Sequence, residues 1–118
     1  MSLISFIRYH FFHRPLSALR GEGPRSPQWP ATKKAYLKAH PLCAATGRPA
    51  TLLSPLDVHH VVPFAERPEL ELDWSNLITL RRDAHLLLAH FGDWNLVNPN
   101  IRQDAADLLK KIDAARQR

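Results

Sequence analysis

The sequence has a single cysteine, only four glycines and no apolar run long enough to cross a membrane. One cysteine excludes an internal disulfide bond and is compatible with a reducing compartment. The aromatic start of the chain is interrupted by Arg8, His10 and His13, so it lacks the clean apolar core of a signal peptide. We therefore expect a cytoplasmic protein with no membrane segment.

The 118 residues suffice for one domain with a modest core, and a hydrophobic content of 45% argues against wholesale disorder. Proline and glycine are concentrated in residues 15–27 (PLSALRGEGPRSP), which is typical of a linker. This composition predicts an N-terminal arm and linker over residues 1–24 and a folded domain over residues 25–118. Residues 1–14 could form a short helix, an oligomer contact or a frayed arm, and the sequence does not choose among them.

Acidic residues are scarce in the first part of the chain. Residues 1–48 carry eight Lys and Arg against the single acid Glu22, a net charge of +7, whereas residues 49–118 have a net charge of −2. A basic front half favours a phosphate backbone as the partner. The alternative is a solvated basic surface with no ligand.

The patterns of apolar residues predict an α+β fold. Two β-branched runs, DVHHVV at 57–62 and NLITL at 76–80, are typical of strands. RDAHLLLAHF at 82–91 predicts a two-turn helix that Gly92 ends in a left-handed conformation. Flanking helices are expected over about 30–40 and about 101–116. A strand, a long loop, a strand and a helix, with imidazoles at the strand end and on the helix, would surround a divalent metal ion.

The order of polar residues within this unit is specific. His59 and His60 end the first strand, Asn76 begins the second, and His85 lies on the helix, with Pro63 three residues after His60. This order resembles the HNH endonuclease family, and the resemblance covers roughly the middle third of the chain. It implies a ββα-metal (His-Me) finger, in which a β-hairpin and a short helix surround one metal ion.

The resemblance implies a role for each of these residues. His59 and His85 would bind one divalent ion (Mg²⁺, Mn²⁺, Ni²⁺ or Zn²⁺), and His60 would be the general base that activates water. Asn76 would form hydrogen bonds across the loop and support the base. The implied activity is metal-dependent hydrolysis of DNA, leaving 5′-phosphate and 3′-hydroxyl ends.

The sequence leaves three details of the histidines open. Neighbouring strand residues point to opposite faces, so His59 and His60 share a site only if the strand end is twisted or bulged. His90 lies about 140° round an ideal helix from His85 and could reach the metal only if the helix end deforms. Otherwise His90 would contact a phosphate or simply pack against neighbouring side chains. Asp57 shares a strand face with His59 and could orient its ring.

Several basic residues are candidates for contacts with the DNA backbone. They lie on or before the first predicted helix and at the start of the helix that carries His85. The candidates are Arg25, Lys33, Lys34, Lys38, Arg81 and Arg82. Phosphate contacts fix position without reading sequence, so we expect double-stranded DNA bound with little sequence preference. Solvated surface positions are the alternative for each of these residues.

Small HNH proteins often carry two CxxC pairs that hold a structural zinc ion. In this chain the first pair reads Cys43-Ala44-Ala45-Thr46, and the places of the second pair are taken by Arg81 and Ala84. Because these replacements do not bind zinc, we expect no structural zinc and a Cys43 that serves as a small buried residue.

Besides the nuclease, two other hypotheses remain: a catalytically silent DNA-binding module that retains the finger, and a structural zinc protein that uses imidazoles alone.

Overall fold

The computed structural model describes residues 25–117, and the predicted arm and linker over residues 1–24 lie outside them. The described chain is α+β, as predicted. An antiparallel hairpin of β1 (Leu56–His60) and β2 (Leu77–Arg81) follows helix α1 (Trp29–Ala39). After β2 come one turn of α-helix, α2 (Arg82–Ala84), a π-helical turn (His85–Ala89) and helix α3 (Ile101–Arg116).

The hairpin separates the side chains of β1 onto two faces. Its pairs stay in register from Leu56 opposite Arg81 to His60 opposite Leu77. On one face Val58 and Leu77 pack against α1, where they form a cluster with Tyr36. On the other face His59 and Asp57 face the chain that follows β2. The period of two therefore assigns His59 and His60 to opposite sides of the strand.

Helix α1 agrees with the sequence prediction to within one residue. Pro30 lies in its first turn, where a missing N–H is tolerated, and the helix ends before Pro41. Tyr36 is the buried anchor of α1, and its hydroxyl donates a hydrogen bond of 2.8 Å to the carbonyl of Leu77. This bond ties α1 to the start of β2.

The main core lies between the hairpin and α3. Ile101 and Ala105 of α3 are buried there against Ile78 and Leu80 of β2. Cys43 is only 1% exposed and belongs to the same cluster, as expected of a small apolar residue. The amphipathic pattern predicted for α3 is buried in its first half, whereas positions near its end, such as Ala115, are exposed. Among the described helices, none has the length and hydropathy needed to span a membrane.

The predicted two-turn helix over residues 82–91 is wrong in its geometry. The chain makes one α-helical turn and then a π-helical turn from His85 to Ala89. The turn ends in two successive left-handed residues, Phe91 with φ 52° and Gly92 with φ 81°. The left-handed conformation predicted for Gly92 is confirmed. Glycine adopts it readily because it has no Cβ.

Candidate metal centre and the adjoining cleft

Three histidines from different elements converge on one point. His59 lies on β1, His85 begins the π-helical turn and His90 directly follows it. One ring nitrogen from each lies within 4.8 Å of the others. His59 Nδ1 is 3.0 Å from His85 Nε2, which is 3.1 Å from His90 Nε2. Nitrogens that share a tetrahedral zinc ion would be about 3.3 Å apart, so the three rings are close enough to hold a metal ion.

The π-helical turn is what brings His90 into this group. An α-helix would direct residues five apart to different sides, whereas a π-helix closes its hydrogen bonds between residues five apart and so aligns them. Asn98 satisfies carbonyls of the turn: its backbone N–H donates 2.7 Å to Ala89, and its side chain donates 3.0 Å to Leu88. Of the alternatives for His90, the deformed helix end is the one present.

The hydrogen bonds of the outer ring nitrogens determine which nitrogens carry protons. His85 Nδ1–H donates to Asp57 Oδ2 at 3.0 Å, and His90 Nδ1–H donates to the Leu96 carbonyl at 2.6 Å. In the neutral rings both Nε2 atoms therefore carry lone pairs, and these face each other at 3.1 Å. Two such lone pairs repel unless a cation lies between them. The donor set thus fits a divalent metal ion.

The protonation equilibria of the three rings agree with this fit. Burial, together with the neighbouring His85 and His90, lowers the pKa of His59 to about 2. Burial also lowers the pKa of His85 against an opposing hydrogen bond to Asp57, and that of His90 against its bond to Leu96. All three imidazoles are therefore neutral at neutral pH, which is the form that binds metal.

Asp57 orients His85, whereas the sequence pattern suggested that it would orient His59. Its carboxylate accepts the His85 bond through one oxygen and is paired with Arg82 at 2.9 and 3.2 Å. Burial by itself would raise the pKa of Asp57, but the hydrogen bonds from Arg82 and His85 outweigh it and lower the pKa. Asp57 is therefore an anion that fixes the tautomer of His85, as carboxylates do beside metal-binding histidines.

His60 lies beside the three histidines, on the other face of β1. Its Nε2–H donates 3.0 Å to the carbonyl of Glu71, which leaves Nδ1 as a free acceptor. Its ring packs against Trp29 with centroids 4.5 Å apart. Burial lowers the pKa of His60, although the bond to Glu71 opposes this, so the ring is a neutral base. β1 keeps its regular register through His59 and His60, without a bulge. Both residues nevertheless line one cleft of about 260 Å³ at the end of this strand.

Arg25 is the basic residue that lines the same cleft. Its guanidinium lies 4.3 Å from the centre of the Phe64 ring and donates 3.2 Å to the carboxylate of Glu71. The Glu71 side chain, 3% exposed, also accepts 2.8 Å from the Ser26 N–H. Glu71 thus holds Arg25 through its side chain and His60 through its backbone. Sequence reasoning missed this residue, whose one signal was an acid among the leucines of the loop.

Asn76 forms hydrogen bonds across the loop that follows His60. Its side-chain oxygen accepts 2.8 Å from the Val62 N–H, and its amide nitrogen donates 3.1 Å to the Val62 carbonyl. Asn76 is buried directly before β2, where its own carbonyl accepts from the Val61 N–H. These bonds hold the backbone directly after His60 and so restrict where the His60 ring can point.

The other predicted phosphate contacts do not line the cleft. Lys33, Lys34 and Lys38 are exposed on α1. Arg82 is engaged by Asp57, and Arg81 donates 2.7 Å to the Ser54 hydroxyl. The structure therefore brings Arg25 to the four histidines, leaves the three lysines on the surface, and engages Arg81 and Arg82 with Ser54 and Asp57.

Trp94 is a second cleft residue that the sequence reasoning missed. Its indole centroid lies 5.0 Å from the His85 ring and 4.9 Å from the His90 ring. The two left-handed residues Phe91 and Gly92 reverse the chain and return Trp94 over these rings. Its sequence signal, a tryptophan two residues after the glycine stop, is weak.

No family model, curated protein or solved structure matches the chain. The interpretation of the site therefore depends on its own geometry and on the order of its polar residues.

Proposed function

We propose that the protein is a metal-dependent HNH endonuclease that hydrolyses DNA phosphodiester bonds. The hairpin, α2 and the π-helical turn would be its ββα-metal finger. One observation carries the proposal: three histidines with converging nitrogens share a cleft with a fourth, His60. The Nε2 of His60 is bonded to the Glu71 carbonyl, so its Nδ1 is the acceptor that remains. A metal site beside a neutral, fixed base is what hydrolysis of a phosphodiester needs.

Each side chain has a distinct part in this mechanism. His59, His85 and His90 would hold the ion, which when bound supplies Lewis-acid polarisation of a phosphoryl oxygen and stabilises the developing negative charge. His60 Nδ1 would accept the proton of the attacking water, whose oxygen forms the new bond to phosphorus while the bond to the 3′-oxygen breaks. The 3′-oxygen leaves as an alkoxide and takes a proton from solvent to become the 3′-hydroxyl. The Glu71 carbonyl keeps the opposite ring nitrogen protonated, so that Nδ1 stays the acceptor.

Arg25 and Asn76 would support this chemistry. The Arg25 guanidinium is held by Glu71 and Phe64 at the cleft, where its remaining N–H groups can bind a phosphate oxygen. Asn76 keeps the segment after His60 in place through its two bonds to Val62. The basic helix α1, with Lys33 and Lys34, would attract the rest of the backbone.

A plasmid-nicking assay tests the proposal directly. The protein is incubated with supercoiled plasmid and Mg²⁺, Mn²⁺, Ni²⁺ or Zn²⁺, with and without chelator. We expect nicking that a chelator abolishes and an added ion restores. If the protein binds metal and DNA but nicks the plasmid with none of these ions, the nuclease hypothesis is contradicted and a catalytically silent DNA-binding module is supported.

We expect the site to prefer Zn²⁺ or Ni²⁺ to Mg²⁺. Its three ligands are imidazole nitrogens, whereas Mg²⁺ prefers oxygen ligands and keeps its water. Isothermal titration calorimetry should show one Zn²⁺ or Ni²⁺ per chain and much weaker binding of Mg²⁺. Tighter binding of Mg²⁺ than of Zn²⁺ would show that oxygen ligands dominate the site.

We expect Asp57→Asn to weaken metal binding by roughly 10–100-fold, because the His85 ring loses the anion that fixes its tautomer. The measurement is a competition titration of Zn²⁺ against a chromophoric chelator. Asp113→Asn is a matched control, since Asp113 is an exposed aspartate on α3 that is paired with Arg116. Equal affinities for wild type and Asp57→Asn would show that the carboxylate does not act through His85.

A further inference from the structure

Trp94 is in contact with the candidate metal centre and is also half exposed. Its indole ring packs against the rings of His85 and His90, yet the residue is 53% exposed. It lines the same cleft as His60 and Arg25. An aromatic ring thus lies against the candidate metal centre with about half of its surface exposed to solvent.

Exposure by itself is not informative, because single apolar side chains are common on protein surfaces. The other two tryptophans provide the comparison. Trp29 packs on His60, and Trp74, 44% exposed, packs its edge against Tyr36 and His40 outside the cleft. Trp94 alone among these three is both exposed and in contact with the metal-binding histidines.

A half-exposed aromatic ring beside an arginine is the combination with which proteins bind single-stranded nucleic acids. Bases stack on the ring, and the cation binds the backbone between them. A base inside a duplex already has neighbours on both faces and cannot stack on an indole unless it leaves the helix. Arg25 and Trp94 lie in one cleft, so a phosphate held by Arg25 and the metal would have its own base within reach of Trp94.

We propose that Trp94 is a stacking platform for an unpaired base next to the scissile phosphate, so that the protein binds single-stranded or locally unpaired DNA in preference to duplex. This inference rests on the proposed function and narrows its substrate, since the sequence had suggested duplex DNA. The specificity is for the unpaired state of the base and is nearly independent of its identity, because every base has a π-face.

The test is a binding titration of metal-loaded protein with fluorescently labelled DNA, and every protein compared, including the one with native Trp94, carries His60→Ala so that the strand is not cut. The probes are a single-stranded oligonucleotide, its duplex and an abasic single strand of equal length. We expect Trp94→Ala to weaken binding of the single strand by about 5–150-fold. Binding of the duplex and of the abasic strand should change less than about twofold, because neither offers a free base to the ring.

Two further variants separate stacking from structural support. Trp94→Phe keeps a ring and should retain most of the single-strand affinity, whereas Trp74→Ala removes an exposed tryptophan outside the cleft and should change nothing. Equal losses on all three probes would show that Trp94 only supports the fold and would overturn the inference. Unchanged single-strand binding in Trp94→Ala, or no single-strand binding by the protein with native Trp94, would also overturn it.

The nicking assay distinguishes failure of this inference from failure of the proposed function. Nicking by wild type together with unchanged DNA binding in Trp94→Ala would retain the nuclease and reject the platform. A selective loss of single-strand binding in Trp94→Ala, with wild type cleaving neither the plasmid nor the single-stranded oligonucleotide under any ion, would support the platform and reject the nuclease.

Discussion

Replacement of His60 by alanine is expected to reduce DNA cleavage by roughly 10²–10⁴-fold, the usual contribution of a general base. Metal and DNA affinity should change little, because the metal-binding nitrogens belong to His59, His85 and His90. We expect the loss of cleavage because the Glu71 carbonyl holds the proton of His60 on Nε2, which leaves Nδ1 as the acceptor for the proton of water. Single-turnover cleavage at saturating DNA measures the effect.

The control for this variant is His40→Ala. His40 is an exposed histidine at the end of α1 that packs against Tyr36 and Trp74, and it does not line the cleft. The His40→Ala variant should cleave DNA at the wild-type rate. Added imidazole should restore part of the activity of His60→Ala, because the removed ring leaves space beside Trp29. Full activity in His60→Ala, or loss of its metal, would contradict the assignment of His60 as the base.

Replacement of His85 by alanine should abolish stoichiometric metal binding and, with it, cleavage under every ion. His85 Nε2 is the central nitrogen of the group, 3.0 Å from His59 and 3.1 Å from His90, and Asp57 anchors its ring. Without it two imidazoles remain, and the carboxylate loses its ring partner. Calorimetric titration with Zn²⁺ measures the stoichiometry, and circular dichroism checks that the variant is folded.

A useful comparison for His85→Ala is His90→Ala. Because the π-helical turn alone directs His90 to the metal, its removal should weaken metal binding while leaving two ligands and the Asp57 contact in place. We therefore expect His90→Ala to be intermediate between wild type and His85→Ala. Equal metal binding by wild type and His85→Ala would show that the cluster is not a metal site.

Local sequence patterns were enough to predict the two strands and the two flanking helices, α1 and α3. The β-branched runs predicted β1 and β2, and the prolines predicted the limits of α1. The alternation along β1 predicted that His59 and His60 face opposite sides, as the regular register requires. These predictions hold because backbone period and proline sterics depend on neighbouring residues only.

The construction of the candidate site was decided by contacts between residues distant in sequence. Asp57 binds His85, which is 28 positions away, and Glu71 joins Arg25 to His60, although nothing in the local pattern of the loop identifies these partners. A carboxylate chooses among several reachable donors according to where the chain folds back. That choice is made by packing, which a single stretch of sequence does not contain.

His90 is the clearest case of the difference. The sequence determined that histidines lie five apart on a helical segment ended by glycine, and for an α-helix this spacing separates them. Tertiary structure converted the segment to a π-helical turn: Ala89 is buried in the core, and Asn98 binds the carbonyls of Leu88 and Ala89. The extra residue in the turn is accommodated because a later part of the chain satisfies its free backbone groups, so only the folded protein aligns His85 with His90.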